Sequence, residues 1–361
     1  MSQILKSLQV VTQSFTGTPE TGTGVIYASG SKMYFENATG SVFPLGGPGY
    51  IRVLEYTGSD PGGGTLTYTW DKPENIKYIQ VICVGAGGGG GGGRSQNSGR
   101  VTGGSGGGGG AIAWGFFDRR DLTQSSYTIS VGRGGAGGVA SVLNVNGNPG
   151  TSGQYTTFGE TLVSASGGSG GTLGSSNIAR AGGPGGLATS CLPGPGFAIP
   201  GGTGGAIIAS GNPSPQPSNF FATPLTPIST AGGGAGGGYD NLSGPTAFSG
   251  SSGSSGFQWN TLQTNGGNPG KPATSGSDNL VTAAVLLQFT SSVFTTTYGL
   301  GGGGHGGDVN TTQLTGYAGS NAGKYGAGGG GGGGTSAVAG SPTSGAGGSG
   351  SSGLCIVVEY Y

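Results

Sequence analysis

The sequence YIQVICVGAGGGGGGG, residues 78–93, decides how the chain folds, because two unlike kinds of backbone meet in it. Its first part, Tyr78 to Val84, is almost continuously apolar and rich in β-branched residues, which predicts a buried β-strand. Its second part, Gly85 to Gly93, carries no side chain larger than the methyl group of Ala86. Such a run is either a flexible linker or an extended chain packed closely against other chains.

Glycine is abundant far beyond this stretch. It makes up 92 of the 361 residues, and only 12 of the 92 lie in residues 1–84. A second run of seven glycines, residues 328–334, repeats the run at 87–93. A GG-x-GG unit also recurs around Ala136, Ser169, Pro184, Thr203 and His305. Because these stretches alternate with strand-like ones, a linker interpretation would require very long disordered loops, which are uncommon in compact domains.

We therefore favour packed, polyglycine-II-like segments over flexible linkers. A collagen triple helix is excluded, because glycine does not recur at every third position along the chain. Ordering glycine instead of alanine costs roughly 0.5–1 kcal/mol per residue. Hydrogen bonds between extended segments, close backbone packing and subunit contacts have to offset this cost. A run of seven residues would span about 20 Å at a rise of about 3.1 Å per residue.

The strand-like stretches predict an all-β protein, and no stretch has long helical periodicity. Asp60-Pro61-Gly62-Gly63 is expected to form the turn between the first two strands after residue 50. The predicted strands are Ile51–Tyr56, Thr65–Trp70, Tyr78–Val84, Ala111–Phe117, Tyr127–Val131, Thr156–Phe158, Leu162–Ala165, Val281–Phe289, Val293–Tyr298 and Leu354–Tyr360.

Residues 1–49 are predicted to form a small N-terminal module for attachment and trimerisation. Val25–Ala28 and Met33–Phe35 flank a glycine turn, which indicates a β-hairpin, and Ser41–Phe43 adds a third short strand. The attachment candidates are Ile4, Leu5 and Leu8, on one face of a short N-terminal helix. So few strands bury too little surface to be stable alone. We expect trimerisation or docking on a partner to supply the missing cover.

The charge content argues against several classes of partner. Charged residues make up 7% of the chain, and 13 basic residues balance 13 acidic ones. This chain therefore lacks the basic footprint that nucleic acid or an anionic membrane attracts. No segment reaches 18 apolar residues, and the N-terminus lacks the pattern of a secretory signal. We expect no membrane insertion, and assembly onto a particle inside a producing cell.

Three parts of the chain together resemble a known family. They are the entry Thr67–Pro73, the strand and glycine run at residues 78–93, and the closing strand Gly353–Tyr361, which contains Val357-Val358-Glu359-Tyr360. In this order they resemble the glycine-rich domain of bacteriophage fibre and tail proteins. That resemblance implies a virion component, commonly trimeric, that reaches toward the host surface. Residues 172–300 match nothing in the family pattern and are interpreted as a variable insertion.

The sequence offers little for catalysis or metal binding. His305, the one histidine, lies between two pairs of glycines without a recognisable nucleophile, so we expect a surface or packing role. Asp118 and Asp121 flank Arg119-Arg120, which indicates a solvated turn or an intersubunit ion pair. Cys83, Cys191 and Cys355 are far apart, and Cys83 and Cys355 are expected as small apolar residues in strands. We predict no catalytic residue, no metal site and no cofactor.

One stretch suggests recognition of a partner. Residues 212–228 contain no glycine, five prolines and the adjacent aromatics Phe220 and Phe221. Proline stiffens a loop before binding, and aromatic side chains supply contact area at low entropic cost. The alternative is that both rings pack inward and anchor the loop. Tyr239, Trp259, Tyr317 and Tyr325, each near glycine, are either sugar-stacking platforms or core residues.

The sequence therefore predicts an all-β homotrimer with a β-sandwich and glycine-rich loops in residues 50–361. We expect a virion tail fibre or adhesin that attaches to a host glycan or outer-membrane protein and, through its N-terminus, to another virion protein. The first alternative is a capsid-bound head fibre or decoration protein. The second is a cellular glycine-rich surface protein of the cell-wall or ice-binding kind, although irregular glycine spacing disfavours ice binding. An enzyme is the least favoured interpretation.

Overall fold

The structure is a computed structural model of the chain. It describes residues 10–11, 24–29, 32–37, 42–45, 51–58, 64–176, 178–191, 196–207, 230–240, 246–247, 250–251, 253, 284–290, 295–300, 309–310, 315–337 and 340–361. Its strands are β1 Val10–Val11, β2 Gly24–Ser29, β3 Lys32–Asn37, β4 Val42–Leu45, β5 Ile51–Thr57, β6 Leu66–Asp71, β7 Tyr78–Val84, β8 Ser95–Gln96, β9 Ile112–Asp118, β10 Ser126–Val131, β11 Thr156–Phe158, β12 Val163–Ala165, β13 Ala188–Cys191, β14 Gly196–Ile199, β15 Tyr239–Asp240, β16 Thr246–Ala247, β17 Ala284–Thr290, β18 Thr295–Leu300, β19 Val309–Asn310, β20 Thr315–Gly316, β21 Thr335–Ser336 and β22 Leu354–Tyr360.

Two five-stranded antiparallel sheets face each other, as the prediction of an all-β sandwich requires. Their strand orders are β13-β12-β11-β10-β6 and β14-β9-β7-β22-β5. The described residues contain no helix. The strands β1 to β4 form a separate four-stranded sheet, and β17 pairs with β18 as an antiparallel hairpin. The prediction of an all-β fold is confirmed.

An aromatic core and one buried carboxylate hold the two sheets together. Trp70, Phe117 and Phe158 are almost fully buried between the sheets. The indole nitrogen of Trp70 donates to Glu359 Oε1 at 2.7 Å, and the Tyr361 hydroxyl donates to Glu359 Oε2 at 2.9 Å. Glu359 is only 1% exposed, so these bonds supply the partners that a buried carboxylate needs.

The expected turn at residues 60–63 does not join two neighbouring strands. β5 pairs with β22 in one sheet, and β6 pairs with β10 in the other. β5 and β6 therefore belong to different sheets, and the neighbour of β5 in its own sheet is the C-terminal strand β22. Tyr56 and Tyr68 instead pack across the sandwich, with ring centroids 5.2 Å apart. Residues 60–63 themselves lie outside the described residues.

At one end of the sandwich, the strands continue directly into glycine-rich segments. β7 ends at Val84 and is followed by Gly85, and β10 ends at Val131 and is followed by Gly132. In the opposite chain direction, Ala111 leads into β9 and Gly353 leads into β22. The same ladder of strands therefore sets where the glycine segments begin and how they are aligned.

The segment 85–93 forms hydrogen bonds with a repeat of three residues. The amides of Gly87, Gly90 and Gly93 donate to the carbonyls of Ser351, Gly348 and Gly345; those of Gly88 and Gly91 donate to Gly108 and Ser105; those of Gly89 and Gly92 donate to Thr151 and Asn148. In return, its carbonyls accept from Gly135 and Gly138, from Gly168, Gly171 and Gly174, and from Gly329 and Gly332. A threefold repeat without local hydrogen bonds is the signature of a polyproline-II-like helix.

These bonds place segment 85–93 at the centre of six neighbouring segments. Those neighbours also bond to one another in a closed ring. Around the ring, the amide of Thr151 donates to Ala136, that of Gly153 to Gly168, that of Ser105 to Thr172, that of Gly104 to Gly332, that of Gly348 to Gly330 and that of Gly350 to Gly135. A second ring surrounds segment 102–111. We call this hexagonal array of glycine segments the glycine lattice. The packed polyglycine-II-like prediction is confirmed, and the linker alternative is wrong for these segments.

A segment at the centre of the lattice needs glycine at all three positions of the repeat, whereas a segment on its surface needs glycine at only two. At the centre, a Cβ on Gly90 would lie 2.0 Å from the carbonyl oxygen of Gly330, so no side chain fits. On the faces, two glycines point inward and the third residue points to solvent. The exposed third residues are Arg133, Ala136 and Val139 in one segment and Ala181, Pro184 and Leu187 in another. The GG-x-GG units around Ala136 and Pro184 are therefore surface segments of the lattice.

Substitution at an inward position is expected to destabilise the protein strongly. Gly90→Ala would drive a methyl group into the backbone of Gly330, and overpacking of this kind costs about 2 kcal/mol or more. Ala136→Ser, at an exposed position, should change the free energy of unfolding by less than about 0.5 kcal/mol. Denaturant unfolding of both variants measures the difference. Equal stability of the two variants would contradict the lattice.

Candidate binding surface at the distal end of the glycine lattice

The glycine lattice has one end at the sandwich and one end away from it, which we call the distal end. The segments 85–93 and 102–111 run in opposite directions, since Gly88 donates to Gly108 and Gly91 donates to Ser105. Residues 94–101 therefore connect them at the distal end. By the same alignment, the connection 139–146 and the described residues of the connections 175–181 and 335–344 lie there too. The distal end is a surface of loops carried on a tightly hydrogen-bonded base.

Neutral side chains hold the Arg94 guanidinium at this end. Arg94 Nε donates to Gln96 Oε1 at 3.0 Å, and Arg94 also donates to Asn146 Oδ1. The amide of Asn97 donates to Asn144 Oδ1 at 3.1 Å, and Asn144 adopts a left-handed backbone with φ of 60°. Asparagine tolerates this conformation better than most residues. Amide oxygens orient the guanidinium of Arg94 without neutralising its charge.

Hydroxyl groups anchor the loop that carries Arg94. The amide of Ser95 donates to Ser141 Oγ at 2.9 Å, and Ser95 Oγ donates to the Pro342 carbonyl at 2.6 Å. The amide of Ser141 donates to Ser344 Oγ at 2.6 Å. Ser95, Ser141 and Ser344 are all buried. Three distal connections are thus joined by short polar contacts, which restricts their relative motion.

A second arginine is paired with a carboxylate. Arg100 Nε lies 2.7 Å from Asp240 Oδ2, and the Asp240 side chain is only 8% exposed. Next to this pair, Val101 and Tyr239 exchange backbone hydrogen bonds of 2.9 and 3.0 Å. Burial and charge pairing therefore tie residues 100–101 to residues 239–240. Here the arginine charge is neutralised, unlike that of Arg94.

Several buried polar atoms of the distal end lack a partner. In the described part of the chain, Ser175 Oγ, Arg180 Nε and Ser336 Oγ are buried without a hydrogen bond. Ser175 ends one lattice segment, Arg180 precedes another, and Ser336 follows the glycine run 328–334. A buried polar group without a partner costs about 1–3 kcal/mol. The described buried polar atoms without a hydrogen bond thus all lie at the distal end of the lattice.

The predicted receptor candidates do not come together in the described structure. Phe220, Phe221 and Trp259 lie outside the described residues. Tyr239 is 5% exposed and packs with Val101 and Ala247, so its ring is buried at the distal end. Of the described residues that flank the proline-rich stretch, Ile207 lies at the distal end and Thr230 near the sandwich.

The remaining sequence candidates lie elsewhere. Tyr325 is near the sandwich, with its hydroxyl 3.3 Å from Glu55 Oε1, and Tyr317 is partly exposed in a surface segment. His305 and the attachment candidates Ile4, Leu5 and Leu8 lie outside the described residues. In the described part of the chain, no group of three or more His, Cys, Asp or Glu residues could hold a metal ion.

The acidic cluster after β9 is an exposed turn at the sandwich end. Arg120 Nε lies 3.0 Å from Asp118 Oδ1 within the same chain. The hydrogen bond from the Arg120 side chain lowers the pKa of the Asp118 carboxyl below its ordinary value. The cysteines Cys83 and Cys355 are buried opposite each other in β7 and β22, with their sulfur atoms 3.8 Å apart. Both therefore pack as apolar core residues, as predicted.

Sequence reasoning missed the arginines of the distal end. Arg94, Arg100 and Arg180 each stand next to a glycine-rich run in a chain with very few charges. That placement was the available signal, because a charged residue at the end of an uncharged segment is expected at its solvent-facing end. The prediction concentrated instead on aromatic residues.

The chain belongs to the glycine-rich domain family, whose model matches residues 62–361. A search of curated proteins finds no relative of this chain. The described residues include no helix long and apolar enough to cross a membrane. The family match covers both the sandwich after β5 and the lattice.

Removing the buried carboxylate of Asp240 should loosen the distal loops selectively. Asp240→Asn leaves Arg100 without its charged partner, and loss of such a pair is expected to cost about 1–3 kcal/mol. Hydrogen exchange of the Val101 and Tyr239 amides should accelerate, while that of the Gly90 amide stays unchanged. The control is Asp118→Asn at the exposed sandwich-end pair, which should leave Val101 and Tyr239 protected. Faster exchange of Val101 in the control would contradict this role for Asp240.

Proposed function

We propose that the chain is a fibre or adhesin subunit of a virus particle, attached through its N-terminal region and recognising the host surface with its distal loops. The observation that carries the proposal is the direction in which the chain runs through the sandwich. β5 enters the sandwich at Ile51, which pairs with Tyr360 at the end opposite the lattice. The distal loops lie at the other end. This arrangement supports a separation of the proposed attachment region from the proposed recognition loops along one molecule.

The physical character of the lattice supports this role. Its central segments bond to neighbours on every side, so the arm between sandwich and loops is stiff compared with a glycine linker. Stiff support lowers the entropy lost when the loops bind, and therefore favours affinity. The loops themselves are rich in Ser and Asn, which supply adaptable hydrogen bonds to diverse partners.

The proposed assembly is a homotrimer on the surface of a virion. Its N-terminal region, residues 1–49, contacts another virion protein, on the tail or on the capsid. The distal loops contact a host glycan or an outer-membrane protein. A capsid-bound head fibre without a receptor differs in one respect, since its distal loops would bind no cell.

Two measurements test the proposal. Antibodies against residues 50–361 should label intact particles, and the labelled purified chain should adsorb to some bacterial strains and not to others. A chain in which residues 96–99 are replaced by a Gly-Ser loop of equal length, with Ser95, Arg100 and Val101 kept, should remain folded and lose adsorption. Label found only inside cells and never on particles would overturn the proposal. Adsorption to no strain, with labelled particles, would favour the head-fibre alternative.

A further inference from the structure

We propose that the distal end binds an anionic group, a carboxylate or phosphate, on a surface polysaccharide, and that Arg94 and Arg180 are the residues that recognise it. This inference rests on the proposed attachment function, because it names the ligand class of the same surface. We call Arg94, Arg100 and Arg180 the distal arginine cluster.

Charge distribution is the first reason. The chain as a whole is neutral, with 13 basic and 13 acidic residues. In the described distal connections, however, the distal arginine cluster faces one carboxylate, that of Asp240. Asp240 pairs with Arg100, so the charges of Arg94 and Arg180 have no carboxylate among their described hydrogen-bond partners. The described distal surface is therefore cationic.

Preorganisation of Arg94 is the second reason. An arginine has five N–H donors in a planar fork. Gln96 and Asn146 accept from Arg94 and fix its orientation, and both are neutral. The charge thus stays available, and an oriented fork loses less entropy when it binds a planar oxyanion. A carboxylate or phosphate oxygen matches the remaining donors in charge and in geometry.

The unsatisfied polar atoms are the third reason. Arg180 Nε and Ser175 Oγ are buried and lack hydrogen-bond partners in the described residues. They belong to neighbouring segments, since Thr172 Oγ donates to the Ala181 carbonyl at 3.2 Å. The same neighbourhood includes Arg94, whose amide donates to Thr102, and Thr102 in turn donates to Ser175. The residues that carry two guanidinium groups and a hydroxyl group therefore stand at the distal ends of segments that lie side by side in the lattice.

A polysaccharide fits this neighbourhood better than an isolated anion. The side chains near Arg94 include Asn144 and Asn146, whose amide nitrogens can donate to sugar hydroxyls, and the exposed Asn97, whose side-chain amide can both donate and accept. Val142 and Val145, 67% and 49% exposed, add an apolar surface for the C–H groups of a sugar ring. The combination of neutral amides, exposed methyl groups and unneutralised guanidinium favours an acidic sugar.

The test is binding of the full chain to three probes at physiological salt: oligogalacturonate, which carries carboxylates, a phosphorylated oligomannose, and uncharged oligogalactose. We expect one or both anionic probes to bind and the uncharged probe to bind at least tenfold more weakly. The preferred anionic probe distinguishes a carboxylate from a phosphate. Binding should weaken as salt concentration rises, because screening reduces attraction between exposed charges.

Variants assign the binding to named residues. Arg94→Gln and Arg180→Gln should each weaken binding of the anionic probe by about tenfold, the loss expected for a charge-assisted hydrogen bond. Arg94→Lys keeps the charge without the planar fork and should also weaken binding. The matched control is Arg120→Gln, an exposed arginine at the sandwich end, which should bind normally. An unchanged melting temperature in each variant verifies that the fold is intact.

The outcomes separate this inference from the attachment function. Equal affinity for all three probes, or an equal loss in Arg120→Gln and Arg94→Gln, would overturn the inference. If the chain nevertheless adsorbs to cells, the attachment function survives and the ligand is not an acidic glycan. If the anionic probe binds through Arg94 while the chain adsorbs to no cell, the inference stands and the attachment function fails.

Discussion

The close approach of backbones without side chains is the constraint on which the rest of the structure depends. At Gly90 a single added methyl carbon would meet a neighbouring carbonyl oxygen at 2.0 Å, and nearly the same holds at Gly87 and Gly93. This spacing lets each amide in the run 87–93 reach a carbonyl on another segment. Each such bond contributes a net of about 0.5–1.5 kcal/mol. The extra entropic cost of ordering a glycine rather than an alanine, roughly 0.5–1 kcal/mol, is about the same size, so the lattice forms only where the bonding is nearly complete.

The sandwich makes this bonding possible by aligning the segments before they meet. Segments 85–93 and 345–353 lie side by side because β7 and β22 are neighbouring strands with Val84 opposite Leu354. Alignment by strands removes much of the search that isolated glycine chains would face. It also explains why the chain alternates between strand-like and glycine-rich stretches. The lattice in turn fixes the ends of the distal connections, including the loop that carries Arg94.

The sequence predicted those features that follow from local composition. The strands β7, β9 and β22 follow from apolar runs, and the packed glycine state follows from the alternation of glycine and strands. The partner of each strand did not follow, because β5 and β22 are separated by nearly the whole chain and no local pattern links them. The arginines at the distal end were also missed, since their significance depends on which segments end together. Tyr239, an aromatic residue that the sequence predicts as a receptor-binding candidate, is buried.

Hydrogen exchange of the glycine amides in the folded protein tests the lattice most directly. The account predicts strong protection at Gly87 to Gly93 and at Gly328 to Gly334, comparable with the amides of the central strand β22 and lost only on global unfolding. Exchange of these amides at the rate of an unstructured chain, in a protein whose β22 remains protected, would contradict it. The two glycine runs would then be linkers, and the distal loops would have no rigid support.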